Sequence, residues 1–286
     1  MFAHTCAALA TLPKTRAKRI LLAPSGRTAT RYFTQTSNSP SRHRKLLSAL
    51  QRFRGSHYFA DGALQENELT PDGRHVQEAD SSSWHLLTLD DHDRIMSCAR
   101  YLENTDLTFE STGASQSALA QNPVWNAPLR TAVNEAIQSA QMRGMRFAEL
   151  GGWCVSRDCR NSTQAVRTVL SMYALGEILG GTVGLSAATM RHSSSTILQK
   201  LGGTRLQGAG APLPSYMEPK YGCEMELLQF DTSRPASRYA GTISALSIDM
   251  RGDVEVLTPS LNLTFSSSVK ALAEAVGYSG PEALVA

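Results

Sequence analysis

The chain has 286 residues, a formal net charge of +3 and 42% hydrophobic residues, enough for one large domain or two small ones with an ordinary soluble core. Its charge is lopsided: no Asp or Glu precedes Asp61, yet 11 of the 28 Lys and Arg lie in residues 1–60, so the rest carries 17 basic and 25 acidic residues, a net of −8. That excludes reading nucleic-acid binding from the overall basicity, because the body of the chain is not basic, and no run reaches the roughly 18 apolar residues of a membrane span.

Five cysteines, Cys6, Cys98, Cys154, Cys159 and Cys223, form no C-x-x-C pair and have no histidine cluster at metal-ligand spacing. Scattered and odd in number, they fit reduced thiols in a cytoplasm, and no metal site is expected. Residues 1–40 are rich in Arg, Ser, Thr and Ala and lack acids. The expectation is a basic, disordered leader; the alternative is a transit peptide, which would place the protein in the mitochondrial matrix. Ile20-Leu21-Leu22-Ala23 is too short for a secretory signal.

The body is expected to span residues 41–231, with residues 232–286 an extension packed on the same domain. Leu46, Leu47, Leu50 and Phe53 make one stripe of a basic helix over Arg42–Phe53. Asp61–Asp80 reads as a loop, in which Asp80 is assigned a capping role. Trp84–Leu89 and Arg94–Leu102 flank the polar turn Asp90–Asp93 and predict a hairpin. His85, in an apolar strand, reads as a satisfied core histidine. Leu129, Val133, Ala136, Ile137 and Ala140 mark a helix over Leu129–Met142.

The segment Arg146–Leu206 carries the most information. Arg146–Val155 reads as a strand containing Gly151-Gly152, a pair that marks a bulge or a close backbone approach. A polar turn, Ser156–Gln164, bears Arg157 and Arg160. A helix begins near Ala165, a strand runs Val183–Met190, and a last helix ends in Gln199-Lys200-Leu201-Gly202-Gly203, with Ser193-Ser194-Ser195 as its cap. A helix N-terminus beside arginines at a strand end is a corner that favours anions. Pro212–Tyr216 reads as a surface linker, Cys223–Phe230 as a strand, Ile243–Leu257 as a strand pair and Ser266–Ala275 as a helix. Alternating strands and helices predict an α/β (α+β layered) fold around one mixed sheet.

Arg160-Asn161-Ser162-Thr163-Gln164-Ala165, preceded by Val155 and followed by Gln199-Lys200-Leu201-Gly202, resembles the acyl-CoA-binding core of the GNAT (Gcn5-related N-acyltransferase) superfamily, whose turn reads Arg-Gly-x-Gly-x-Gly/Ala. Asn161 and Thr163 replace the inner glycines, and Leu198 stands where many members place a tyrosine acid. Asp80, Arg100 and Glu149 resemble the pattern of autoinducer synthases and N-acyl amino acid synthases, whose Glu-x-Ser-Arg-Phe is here Glu149-Leu150-Gly151-Gly152-Trp153.

The resemblance implies a twisted mixed sheet flanked by helices, with a splayed strand pair that receives the donor's pantetheine arm. It implies an acyltransferase moving an acyl group from acyl-CoA or acyl carrier protein, as co-substrate, to the amine of a small metabolite such as an amino acid. The alternative is a degenerate domain that binds without turnover. Glu149 is the candidate base and Arg100 the candidate anchor for an acceptor carboxylate. Trp153, Val155, Arg157, Arg160, Asn161, Ser162, Thr163, Gln164 and Ala165 are the candidate donor contacts.

Overall fold

In the computed structural model, which describes residues 17–27, 29, 31–160, 162–208 and 210–259, the first element is Lys18–Leu22 (β1). Ile20, Leu21 and Leu22 are fully buried. Leu21 packs into one core cluster while Ile20 and Leu22 pack into another, as the two-residue period of a strand requires. β1 lies inside the sheet, between β3 (Trp84–Leu89) and β12 (Glu255–Thr258). The described part of the expected leader, from residue 17 on, thus contributes ordered strands rather than a disordered tail, and residues 1–16 lie outside the described residues. A five-residue central strand vanishes in a composition averaged over forty positions.

Thr36–Asn38 (β2) pairs in parallel with β12 at the sheet edge. Pro40–Ala60 (α1) extends the expected helix by two residues at the start and seven at the end, with Pro40 in its first turn, where a missing N–H costs nothing. The hairpin forms from β3 and Ile95–Glu103 (β4). Ala118–Gln121 (α2) and Asn126–Met142 (α3) lead to Arg146–Val155 (β5). Gln164–Ile178 (α4), Thr182–Thr189 (β6) and Ser194–Lys200 (α5) follow.

Between α5 and Cys223–Asp231 (β11), the short strands Thr204–Arg205 (β7), Gln207–Gly208 (β8), Ala211–Pro212 (β9) and Tyr216–Glu218 (β10) replace the expected surface linker. Leu213 and Tyr216 are buried there, so the prolines stiffen an edge that packs on the core. The expected strand pair over Ile243–Leu257 is instead the helix Ala240–Gly252 (α6) followed by β12. Ile243, Leu246 and Met250 are buried at a spacing of three and four, the helical period, which the short window concealed. The helix expected at Ser266–Ala275 lies outside the described residues.

The main sheet runs β10-β11-β6-β5-β4-β3-β1-β12-β2, with β7 paired to β11. Residues of α4 and α6 fill the core on one face, together with Leu21, Leu86, Tyr101, Ala148 and Leu228. On the other face α3 packs over Phe147, Val183, Leu185 and Leu227, and α1 packs over Ile20, Leu22, Leu87 and Cys98. No helix among the described residues is long and apolar enough to cross a membrane.

One local departure from regular pairing positions the site. β5 and β6 pair in parallel only from Arg146↔Thr182 to Glu149↔Leu185. Past that point β5 continues along β4 to Ser97↔Val155, and β6 continues along β11 to Thr189↔Met225. The two middle strands part and leave a V open toward Val155 and Thr189. The β4–β5 register shifts between Cys98 and Arg100, and Gly152 adopts φ +58°, a value a residue without Cβ takes freely. A Cβ at Gly152 would lie 3.2 Å from Arg100 Cβ, so the position needs glycine for space as well.

Candidate functional site

An apolar cavity of about 50 Å³ opens at the splay, several times the roughly 10–15 Å³ that one water needs. Leu150, Trp153, Met172, Leu198 and Phe230 supply its greasy wall, and Gly151 and Arg100 border it where the sheet parts. Tyr173 and Phe230 meet edge-on beside it, ring centroids 5.9 Å apart. The Gly202-Gly203 pair has its reason here. A Cβ on Gly202 would come within 2.6 Å of Tyr173 Oη, and one on Gly203 within 2.9 Å of the Phe230 ring. Trp153 Nε1 and Tyr173 Oη are buried without a hydrogen-bond partner, and burial pushes the Tyr173 phenol well above its ordinary range.

Alternation along β5 divides the candidate residues between the two faces. Leu150 and Trp153 pack with the α4 face. Glu149 points to the other face, where Oε1 accepts from Asn104 Nδ2 at 3.0 Å and Oε2 accepts from the Gly113 N–H at 2.8 Å. Arg100, opposite Gly151 in register, donates from Nη1 to Gln77 Oε1 at 2.7 Å, while its Nε is buried without a partner. Burial and the neighbouring Arg54 lower its pKa, and Asp80 and Glu149 act in the opposite direction. The Nε of this guanidinium is thus a donor left unpaired in the fold.

Behind Arg100 lies a buried ion pair. Arg54 donates to Asp80 through Nη1 and Nη2, at 3.0 and 2.8 Å, and the two side chains are 1% and 3% exposed. The Gln77 N–H also donates to Asp80, so the capping role read from sequence is present, inside a larger network. His85 is a core histidine bonded to the Asp80 carbonyl at 2.8 Å, and burial brings its pKa down to about 4. Cys154 is buried, and the Cys98 thiol donates to the Gly152 carbonyl across the bulge.

In the turn after β5 the expected donor contacts Arg160 and Gln164 have partners within the fold. Arg160 pairs with Asp61, Nη2 to Oδ2 at 2.9 Å. Gln164 turns its side chain inward, donating to Ser97 Oγ at 2.8 Å and Thr88 Oγ1 at 3.0 Å, and its backbone N–H is taken by Ser162 Oγ. Thr163 caps α4 through backbone alone, and Ala165 falls in the first turn. Arg157 is exposed, and Val155 ends the strand at Ser97. Asn161 lies outside the described residues. Of Ser193-Ser194-Ser195, expected to cap α5, Ser193 holds the N-cap position without a side-chain bond, and Ser195 donates to buried Glu226.

Sequence reasoning missed Arg54, Gln77, Asn104 and the cavity residues Met172, Tyr173 and Phe230. Arg54 had a signal: it stands four residues after Leu50, a charge on the buried face of α1 that demands an acid partner. The others had none, because loops and separate helices bring them together. Among the described residues no group of three or more His, Cys, Asp or Glu is placed to hold a metal ion.

A mixed sheet whose middle parallel strands part around a glycine bulge, with a helix springing from the turn after the first of them, is the GNAT-like architecture. Comparison with solved structures agrees. The CoA-dependent acyl-homoserine lactone synthase BjaI, with SAM and isopentyl-CoA, matches at a TM-score of 0.51 and 15% identity, over 89% of this chain and 99% of that one. The same synthase with MTA matches at 0.50 and 16%, over 88% and 99%. FeeM, an N-acyl amino acid synthase from uncultured soil microbes, matches at 0.41 and 11%, over 76% and 92%. No protein-family model and no curated protein matches the chain. The chain has a GNAT-like fold near that of the autoinducer synthases.

Proposed function

We propose that the protein is an N-acyltransferase that moves an acyl group from a thioester, acyl-CoA or acyl carrier protein, to the amine of a small metabolite carrying a carboxylate. One observation carries this reading: the β5–β6 splay leads to an apolar cavity on one face, while Arg100 and Glu149 stand on the other side of the gap. The acyl chain occupies the cavity, the thioester carbonyl lies at Gly151, and the acceptor approaches from the α1 and α3 face. The acceptor carboxylate takes the Nε edge of Arg100.

The amine nitrogen attacks the thioester carbon, and the C–N bond forms as the carbonyl electrons move to oxygen. Backbone N–H groups freed at the bulge receive that oxyanion. Glu149 takes the amine proton directly or through water. The C–S bond then breaks, and the thiolate leaves and takes a proton back. Glu149 keeps lone pairs for this work, since each oxygen accepts one bond in the fold. Those same two bonds favour the second reading, a domain that binds a thioester without turnover, with Glu149 as a structural acceptor.

Titration calorimetry with acetyl-, octanoyl- and palmitoyl-CoA, followed by mass spectrometry of small molecules from cells expressing the chain, separates the readings. A new N-acyl product that falls by about 10²–10⁴-fold in Glu149→Gln, with thioester affinity kept, is the expected result. Affinity without thiol release over a broad amine panel would establish the binding domain instead.

A further inference from the structure

Asp61 sits where elementary electrostatics disfavours it. It is the C-cap of the 21-residue helix α1, and the C-terminal end of a helix dipole repels a carboxylate. Basic side chains from both arms of the V surround it. Arg160, five residues past the end of β5, reaches its carboxylate at 2.9 and 3.2 Å. His192, three residues past the end of β6, lies 3.8 Å from Oδ1. Arg191 donates from Nη1 to the Asp61 carbonyl and from Nη2 to the Gly222 carbonyl at 3.1 Å. The turn that carries this second arm is strained, with His192 at φ +55° and Ser193 at φ +58°, both in the left-handed region that costs side-chain-bearing residues energy. One carboxylate therefore ties three segments across the open end of the splay, and Arg157 stands exposed on the same turn as Arg160.

We propose that Asp61 is an internal stand-in for the donor's phosphates: it holds the Arg160 guanidinium, with the His192 ring beside it, across the mouth of the V, and a diphosphate takes these side chains from it on binding. This rests on the thioester-donor reading above and adds the group that donor must displace. The site's ligand class is a diphosphate, which offers more charge and more acceptor oxygens than one carboxylate and reaches donors on both arms. The bond to Asp61 is a partly exposed ion pair, weak enough to exchange.

The test uses the full chain and three probes that need no knowledge of the acyl group: coenzyme A, pantetheine and inorganic pyrophosphate. In Asp61→Asn, affinity for coenzyme A and pyrophosphate is expected to rise by up to about fivefold, with pantetheine unchanged. Arg160→Gln is expected to weaken coenzyme A by a similar factor and to abolish the gain in the double variant. Asp61→Ser repeats the first measurement should the amide perturb the helix end, and thermal melts of each variant confirm folding. Unchanged or weaker coenzyme A binding in both Asp61 variants overturns the proposal while leaving the acyltransferase reading intact. Tighter pyrophosphate with no thioester binding in any variant supports the displaced carboxylate and removes the acyltransferase.

Discussion

Arg54 and Asp80 form a bidentate pair sealed beneath the α1 side of the sheet, with Gln51 and the Gln77 N–H each adding a bond to Asp80 at 3.0 Å and the His75 carbonyl accepting from Arg54 at 2.7 Å. A pair so enclosed is costly to break one-sidedly, since the survivor is a buried charge without a partner. Asp80→Ala is expected to lower stability by about 3–5 kcal/mol in urea melts. Replacing both partners, Arg54→Met with Asp80→Leu, is expected to recover most of that loss while leaving Arg100 unsupported. Acyl transfer then stays low in the double variant although the fold returns, and recovery of both together would show the pair to be structural alone.

Stability should fall toward acid in two stages. His85 and His75 titrate at about 4 in the fold; burial is the main cause for both, reinforced at His75 by the charge of Arg54. The unfolded chain takes these protons near pH 6.5, so stability drops as pH falls from about 6.5 to about 4 and this contribution then levels off. Asp80 supplies the second stage. Burial raises its pKa, but the hydrogen bonds and charge of Arg54 outweigh that, and its net shift is downward. Its stabilisation is present above the unfolded value near 3.9 and is lost as pH falls through the lower folded value. Urea midpoints across pH 3–8 should show both, and His85→Gln should flatten the slope between 6.5 and 4.

Gly152→Ala combines a φ of +58° with a Cβ 3.2 Å from that of Arg100. The backbone cost alone is about 1–2 kcal/mol, and relief of the contact must move Arg100. Gly26→Ala is the control, with φ +76° and nothing within 4 Å. Both variants should lose stability in thermal melts, and only Gly152→Ala should lose acceptor affinity. Equal effects on acceptor binding would refute the link between the bulge and Arg100.

Phe230→Leu opens the cavity beside Tyr173 without emptying it. Competition between thioesters of increasing length should show the preference moving to longer chains, by about tenfold or more for each methylene newly accommodated. An unchanged preference would place the acyl chain elsewhere.

Much of the fold was legible because local signals carried it. The hairpin, α3, β5, α4, β6 and the strand Cys223–Asp231 followed from period and turn chemistry within three residues. β1 was not legible, because a strand buried on both faces shows no alternation and this one is only five residues long. α6 was not, because its apolar residues read equally well as strand over a short span. Of the candidate site, Glu149, Arg100 and Trp153 were singled out by the resemblance to the synthase pattern, and the fold places all three beside the glycine pair. Their partners Gln77, Asn104 and Gly113 lie 23, 45 and 36 residues away along the chain, a separation no local pattern encodes.

The sequence alone determined that β5 must deform, since two adjacent glycines in a strand leave it nothing to pack, and that a helix with arginines before it follows. Tertiary structure decided what those arginines touch. Asp61 reaches Arg160 only because α1 ends against the open side of the V, and Glu149 faces away from Trp153 only because pairing with β4 and β6 sets which side each β5 residue takes. Backbone conformation follows from neighbouring residues; which charge meets which depends on how sheets and helices stack.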